Sequence, residues 1–229
     1  MKKHYPWLFF DADGTLFDYN LAEATSFQKA FTQLDLPFED AHLITYRQIN
    51  HELWQALERQ EIKPDVLRVR RFELLLEALG LNSVPERLSN IYTEQLGLCT
   101  DLVEGAYEVL EALHARCHIA IVTNGLQSVQ RSRLEHSSIR TFISELIISE
   151  EVGAAKPHPA FFDVAFARTG NPPKHDVLII GDSLTSDMQG GVNYGIDTCW
   201  YNPVGAPRPE GLSLTFEISH LQQLLERIE

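Results

Sequence analysis

Side chains able to bind a metal ion or an anion recur in this sequence where short apolar runs end. Mg²⁺ prefers oxygen ligands such as carboxylates. An anionic substrate can bind beside these carboxylates only if the metal ion and a nearby cation offset their negative charge. Hydroxyls, amides and a lysine suit the oxygens of that anion. The segments that carry these groups are Asp11-Ala12-Asp13-Gly14-Thr15-Leu16, Thr123-Asn124-Gly125, Lys156-Pro157 and Gly181-Asp182-Ser183-Leu184-Thr185-Ser186-Asp187.

Each of these segments alone has a common structural explanation. Two aspartates with one residue between them often lie in a turn or at the start of a helix. Thr-Asn-Gly is a common turn sequence, and Gly-Asp-Ser suits a helix N-cap. Their order along the chain, each near the end of a predicted strand, is what indicates a shared site.

The apolar runs are predicted β-strands that alternate with helices. The first, residues 7–10, has the length and aromatic content of a buried strand. Alternation predicts an α/β fold with a parallel sheet covered on both faces, and ligands bind at the carboxyl ends of such strands. The other predicted strands cover residues 117–122, 146–148, 177–180 and 198–201, and the predicted helices cover 126–136, 159–169, 185–194 and 219–228.

A helical insert is predicted directly after the first strand. Asn20 followed by Glu23 resembles a capping box at a helix start, and a second helix is predicted over 39–59. Pro64 and Pro85 each open a further helix, as is typical of proline in a first turn. The predicted division is a catalytic α/β core of residues 1–17 and 101–229, with a helical cap of residues 18–100.

Composition and charge limit the partners and the compartment. Of the 229 residues 44% are hydrophobic and 22% charged, and the net charge of −13 predicts that neither nucleic acid nor an anionic membrane is a partner. We find neither a signal peptide nor an apolar run approaching the roughly 18 residues of a spanning helix. The three cysteines, Cys99, Cys117 and Cys199, show no pairing or zinc-binding spacing, which favours a reducing compartment and a cytoplasmic location.

The four segments together resemble the motifs of the haloacid dehalogenase (HAD) superfamily. The resemblance covers the whole chain, because the predicted helical insert lies where that superfamily places its cap domain. Within the superfamily the chain is most similar to the pyrimidine nucleotide 5′-monophosphatases. The segments that carry this similarity are Trp7-Leu8-Phe9-Phe10-Asp11-Ala12-Asp13, Val122-Thr123-Asn124-Gly125, Ser149-Glu150-Glu151-Val152-Gly153, Gly181-Asp182-Ser183-Leu184-Thr185-Ser186-Asp187 and Asp197-Thr198-Cys199-Trp200.

The resemblance implies phosphomonoester hydrolysis through an aspartyl-phosphate. Asp11 is then the nucleophile, and Asp13 gives a proton to the leaving group and later takes one from water. Lys156 neutralises charge on Asp11 and on the phosphoryl oxygens. Halide needs no proton when it leaves, and the dehalogenase branch lacks the second aspartate, so Asp13 favours phosphoryl transfer.

The resemblance also implies the binding groups. One Mg²⁺ ion, or Mn²⁺ in its place, is expected on Asp11, the backbone carbonyl of Asp13 and Asp182, with Asp187 supporting the metal or its waters. Thr123 and the amides of Asn124 and Gly125 are expected to hold the equatorial phosphate oxygens. Phe17 and Tyr19, just after the first motif, are candidates for a hinge or flap near the substrate. The side chains of this flap or of the cap that could contact the substrate are Phe17, Tyr19, Trp54, Arg47, Arg68, Arg70 and Arg71. Such aromatics are more often core residues, and such arginines are more often solvated.

Three functions stay open at this point. The first is a nucleoside 5′-monophosphate phosphatase that prefers pyrimidines such as UMP, dUMP or dTMP. The second is a sugar-phosphate or phosphoglycolate phosphatase or phosphomutase, which shares all four motifs. The third is a catalytically inactive phosphate-binding module, which the presence of Asp11, Asp13, Lys156 and Asp182 disfavours. The expected partner is a small phosphomonoester, bound by a monomer or a small homo-oligomer.

Overall fold

The computed structural model describes residues 2–59 and 61–229, and a parallel β-sheet lies at its centre. The strand order is β3-β2-β1-β4-β5-β6, and each neighbouring pair is parallel. The α/β fold predicted from the alternating pattern is confirmed. The strands are β1 Trp7–Phe10, β2 His118–Thr123, β3 Glu145–Ile148, β4 Val177–Gly181, β5 Asp197–Tyr201 and β6 Phe216–Ile218.

Helices cover both faces of the sheet because successive strand residues point to opposite sides. Leu8 and Phe10 of β1 belong to one buried apolar layer, whereas Phe9 belongs to the other. The first layer includes residues of α5 and α10, and the second is filled mainly by α8. The helices of the α/β part are α5 Ala106–Leu113, α6 Gln127–His136, α7 Ser149–Val152, α8 Pro159–Arg168, α9 Gln189–Tyr194 and α10 Leu224–Arg227.

Four helices follow β1 in the described part of the chain and form a further apolar core, to which Leu126 and Val129 from the start of α6 also belong. They are α1 Tyr19–Gln33, α2 Asp40–Glu58, α3 Pro64–Leu79 and α4 Pro85–Leu98. Proline occupies the first turn of α3 and of α4, and Gly80 ends α3 with a φ of 63°. Aromatic rings fill the space between the helices, among them Phe27, Phe31, Tyr46, Phe72 and Tyr92.

The two chain segments that join these helices to the sheet are paired with each other. The backbone N–H of Asp18 donates to the carbonyl of Asp101 at 2.9 Å, and that of Val103 donates to Leu16 at 2.9 Å. Helix α4 also packs against α6 of the α/β part. The pairing suits a hinge at the predicted boundaries near residues 17 and 101, and the division into core and cap remains our proposal.

Several local expectations are corrected by the structure. Helix α1 begins at Tyr19 rather than Asn20, and its N-cap is Asp18, whose side chain accepts from Leu21 N at 3.0 Å. Glu23 therefore takes no part in a cap. Helices α5 and α7 and strand β6 were not predicted. Helix α7 and strand β6 are too short to show a period, whereas the apolar residues of α5 recur at helical spacing and this signal was missed. The helix predicted over 185–194 is a π-helical turn, Leu184–Met188, followed by α9.

The described residues contain no helix that is both long and apolar enough to span a membrane. Cys99, Cys117 and Cys199 are free thiols, and all three are buried.

Candidate active site

The predicted site segments meet at the carboxyl edge of the sheet, beside a cavity of 380 Å³. Strand β1 lies between β2 and β4, so the direction of the crossover connections reverses at β1, which is where open α/β sheets bind ligands. The backbone N–H of Asp11 still donates to Ile180 of β4 at 2.8 Å, so this residue is held at the strand end. Among the predicted residues, those that line the cavity are Asp11, Asp13, Thr123, Asn124, Gly125, Lys156 and Asp182.

The ammonium group of Lys156 lies at the centre of this edge. Its Nζ donates to Asp11 Oδ1, to Asp187 Oδ1 and to the Val122 carbonyl, each at 2.6 Å. The side chain is only 1% exposed. Burial alone lowers the pKa of Lys156, but the carboxylates of Asp11 and Asp187 outweigh it and raise that pKa, so the group stays charged.

Three carboxylates surround a position suited to a divalent cation. Asp11, Asp182 and Asp187 each offer an oxygen, and these oxygens lie within 4.8 Å of one another. Burial and the neighbouring Asp187 raise the pKa of Asp182 to about 7, and burial raises the pKa of Asp11 although Lys156 opposes it. Asp182, the most exposed of the three, forms no ion pair with any described residue. One ammonium thus faces three carboxylates, and this excess negative charge with all-oxygen donors fits Mg²⁺.

Gly14 leaves room for the Asp182 carboxylate of this acidic cluster. Its φ is +83°, and a Cβ placed there would lie 2.8 Å from Asp182 Oδ2. We expect Gly14→Ala to weaken Mg²⁺ binding about 10-fold to 100-fold, because it displaces the side chain of Asp182, one of the expected ligands. Isothermal titration calorimetry measures this affinity.

Gly195→Ala is the matched control for backbone strain. Gly195 has a similar φ of +80°, yet a Cβ there meets nothing within 4 Å. Both variants should lose about 1–2 kcal/mol of stability from the positive φ. Equal Mg²⁺ affinities in the two variants would contradict a ligand role for Asp182.

Thr123 ends β2 and Asn124 and Gly125 begin the turn after it, and the side chains of Thr123 and Asn124 have structural partners. Asn124 bonds the backbone of Lys156 twice: its Nδ2 donates to the carbonyl and its Oδ1 accepts from the N–H, both at 2.9 Å. Gly125 N donates to Thr123 Oγ1 at 2.9 Å. The side chain of Asn124 therefore fixes the position of Lys156, an arrangement that the sequence did not predict.

Asp13 lies at the cavity but apart from the acidic cluster. Gln130 Nε2 donates to Asp13 Oδ2 at 2.5 Å, and Arg133 Nη1 donates to Asp13 Oδ1. Neither Gln130 nor Arg133 was predicted as a site residue. The available signal was their spacing, because residues three apart on the helix that follows Thr123-Asn124-Gly125 share one face.

The helices α1 and α2 close the other side of the cavity with polar side chains. Arg47 Nε donates to Glu23 Oε2 at 2.6 Å, and Asn50 Nδ2 donates to the Tyr19 hydroxyl at 3.3 Å. Arg71 Nη1 donates to Asn50 Oδ1 at 3.2 Å, so it fixes which end of that amide faces Tyr19. Burial raises the pKa of Glu23, against the opposing hydrogen bond from Arg47.

The predicted contact residues from the helices are thus divided. Tyr19, Arg47 and Trp54 line the cavity, and so do Glu23, Asn50, His51 and Glu58, which were not predicted. Phe17 is 1% exposed within the apolar core, so it is not a surface for stacking a base. Arg68 pairs with Glu150, Arg70 with Glu73, and Arg71 is buried beneath the cavity wall.

Residues 8–201 match the haloacid dehalogenase-like hydrolase family. The chain belongs to this family. The match spans the first strand, the helical insert and the sheet as far as β5, so it includes every predicted site residue. The sequence resemblance is confirmed at the level of the family.

Two curated relatives and one solved structure are similar over almost their full lengths. Pyrimidine 5′-nucleotidase YjjG of Escherichia coli is 37% identical over 96% of this chain and 96% of its own. Pyrimidine 5′-nucleotidase PynA of Streptococcus pneumoniae is 31% identical over 98% of this chain and 95% of its own. The magnesium-bound crystal structure of the putative HAD-hydrolase YfnB from Bacillus subtilis has a TM-score of 0.92 at 33% identity, with 98% of each chain covered.

Proposed function

We propose that this protein is a Mg²⁺-dependent phosphomonoester hydrolase with Asp11 as its nucleophile. The observation that carries the proposal is the contact of the buried Lys156 ammonium with Asp11, next to the cluster of Asp182 and Asp187. A carboxylate that lines a cavity and is held by a fixed cation can attack an anionic phosphate once the remaining negative charge is offset. Mg²⁺ held by Asp11, Asp182 and the Asp13 carbonyl, with Asp187 beside it, would supply that offset.

The reaction has two halves in this proposal. An Asp11 oxygen attacks phosphorus, the ester P–O bond breaks, and the departing alkoxide takes a proton from Asp13. Asp13 next takes a proton from a water molecule, whose oxygen attacks the aspartyl-phosphate and breaks the bond between Asp11 and phosphorus. The products are an alcohol and inorganic phosphate, and Asp11 and Asp13 return to their starting states.

The transferring oxygens need fixed donors in both halves. Lys156 supplies charge, and Thr123 with the amides of Asn124 and Gly125 supplies the other donors in this proposal. Asp187 contacts the same Lys156 ammonium as Asp11, and it accepts from Ser183 N at 3.2 Å. Its role is therefore to position the lysine and to add negative charge beside the metal.

We further propose that the substrate is a nucleoside 5′-monophosphate, with a preference for pyrimidines such as UMP, dUMP and dTMP. The support is the similarity to two pyrimidine 5′-nucleotidases and the polar wall formed by the helices. Glu23, Arg47 and Asn50 offer an acceptor and donors, as a base edge requires, while Tyr19 and Trp54 offer ring surface. The wall lies beyond the groups that hold the phosphate, so it faces the leaving group.

Phosphate release from a panel of monophosphates tests both parts of the proposal. We expect release from UMP, dUMP or dTMP to exceed release from AMP, phosphoglycolate and a hexose phosphate about tenfold or more, and to stop with EDTA. Faster release from a sugar phosphate would keep the chemistry and contradict the nucleotide assignment. No release from any ester would contradict the chemistry and favour a binding module.

The proposed setting follows from the substrate. A small phosphomonoester enters one cavity of one chain, so a monomer or a small homo-oligomer suffices. We propose a cytoplasmic location, where nucleotides occur and free thiols persist. Nucleic acids and membranes are not among the proposed partners, because the net charge of −13 repels both.

A further inference from the structure

Gln130 and Arg133 lie on one face of α6 and both donate hydrogen bonds to the Asp13 carboxylate. Each donates to a different oxygen of that carboxylate, Gln130 to Oδ2 and Arg133 to Oδ1. Residues three apart on a helix are neighbours, so both donors come from the same surface. The orientation of the Asp13 side chain is therefore set by α6 as well as by its own backbone.

Arg133 is itself fixed on its other sides. Its side chain is 0% exposed, its guanidinium carbon lies 5.2 Å from the centre of the Phe17 ring, and its Nη2 donates to the Leu96 carbonyl at 3.3 Å. Burying a guanidinium is costly unless it is paired, and Asp13 supplies that pairing. Leu96 lies on α4, so one side chain links the carboxylate to the helical insert.

The Asp13 carboxylate lies against the turn that carries the proposed phosphate donors. A Cβ added to Gly125 would lie 2.2 Å from Gln130 Nε2 and 3.0 Å from Asp13 Oδ2. Glycine at position 125 therefore lets Gln130 and Asp13 approach the backbone of this turn. A phosphate bound at Thr123 and Gly125, as proposed, would therefore lie beside the Asp13 carboxyl.

We propose that Gln130 and Arg133 are positioning residues that aim the Asp13 carboxyl at the leaving-group oxygen. Because Arg133 also contacts α4, the orientation of the Asp13 carboxyl depends on the position of α4, and so on where the helical insert lies over the cavity. The inference rests on the proposed function, in which Asp13 transfers the proton. A misplacement of about 1 Å in such a group costs about 100-fold in rate.

Two phosphate esters with different leaving groups test the inference. We expect Gln130→Met and Arg133→Lys to lower kcat/KM for the best nucleoside monophosphate about 10-fold to 100-fold, because its alkoxide must be protonated as it leaves. For p-nitrophenyl phosphate, whose leaving group needs no proton, kcat/KM should stay within about threefold of wild type. Steady-state kinetics with both esters under identical Mg²⁺ conditions give the comparison.

Controls separate positioning from general damage. Arg131→Lys changes a neighbouring arginine that pairs with Glu151 at the surface, and it should leave both esters unaffected. Adding Arg133→Lys to Asp13→Asn should cause no further loss for the nucleotide, because the effect of Arg133 is transmitted through Asp13. If Arg133→Lys does not fold, as judged by circular dichroism, Gln130→Met decides alone.

Two results would overturn the inference. Equal losses for both esters would mean that Gln130 and Arg133 support the fold or the phosphate site rather than proton transfer. Unchanged nucleotide kinetics would mean that Asp13 needs no help in orientation. Failure of the proposed function is distinguishable from both, because the unsubstituted protein would then release no phosphate from either ester.

Discussion

Asp11→Asn is expected to lower kcat about 10⁵-fold while the protein stays folded. The amide cannot form an acyl phosphate, whereas its oxygen can still accept the hydrogen bond from Lys156 that Asp11 Oδ1 accepts at 2.6 Å. Lys156 also keeps its contacts with Asp187 and the Val122 carbonyl. Phosphate release and the thermal unfolding midpoint, measured on the same samples, check the two halves of the expectation.

Trapping the aspartyl-phosphate intermediate tests the assignment of Asp11 as nucleophile without a measurement of turnover. Acid quenching of the wild-type protein with ³²P-labelled substrate should leave labelled phosphate on the chain, and Asp11→Asn should carry none. Asp163→Asn is the control, because Asp163 is an exposed aspartate that accepts from the Tyr194 hydroxyl at 2.9 Å, on the α8 side of the sheet. Labelled Asp11→Asn protein would show that another residue is the nucleophile.

The order of strands and helices along the chain was predictable where an element carried a signal of its own, either a long helical period or a short apolar run. Trp7–Phe10 was predicted to the residue, since a short apolar run ending in an acid has few alternatives inside an α/β fold. The four segments at strand ends were predictable for a further reason: a parallel sheet brings its carboxyl ends together whatever the loops do. Thr123, Lys156 and Asp182 do line one cavity with Asp11, as that geometry requires.

Side chains that act across the tertiary structure could not be predicted in this way. Glu23 was interpreted as part of a helix cap, whereas it is 2% exposed and pairs with Arg47 of the next helix. The spacing of Gln130 and Arg133 places them on one face of α6, but only the fold shows that the guanidinium of Arg133 reaches Asp13. A spacing rule describes one element at a time, and these contacts depend on how two elements pack.

Phe17 shows the opposite error, in which an available ring was taken as a possible contact. Its position after the first motif suggested a flap over the substrate, but its ring is buried beneath Arg133. Position in the sequence could not distinguish this ring from Tyr19, which lines the cavity. The difference depends on helix α1 beginning at Tyr19, because the cap at Asp18 turns the chain between the two rings.

Replacing Lys156 by methionine should destabilise the protein as well as inactivate it. The substitution keeps most of the side-chain volume but leaves Asp11 and Asp187 without the ammonium that both contact at 2.6 Å. Removing one partner of a buried ion pair costs about 3–5 kcal/mol, because the other charge stays buried. Urea unfolding in EDTA measures this loss, and Lys29→Met on exposed α1 surface should cost less than about 0.5 kcal/mol.

The loss of stability in Lys156→Met comes from excess negative charge, so we expect it to depend on pH. Burial already raises the pKa of Asp11 above its ordinary value, and removal of Lys156 takes away the group that opposes this rise. An acid whose pKa is raised in the folded state binds more protons folded than unfolded, so stability falls as pH rises above the unfolded pKa of about 4. The deficit of Lys156→Met relative to wild type should therefore grow between pH 4 and pH 8.

A second substitution tests whether charge, rather than lost packing, is responsible. Adding Asp187→Asn to Lys156→Met removes one of the two stranded carboxylates, so it should recover about 1–3 kcal/mol at pH 7. The same substitution in the wild-type background should destabilise, since Asp187 there accepts from Lys156 and from Ser183 N. If Asp187→Asn lowers stability equally in both backgrounds, the lysine acts through packing, and the electrostatic account of this site is wrong.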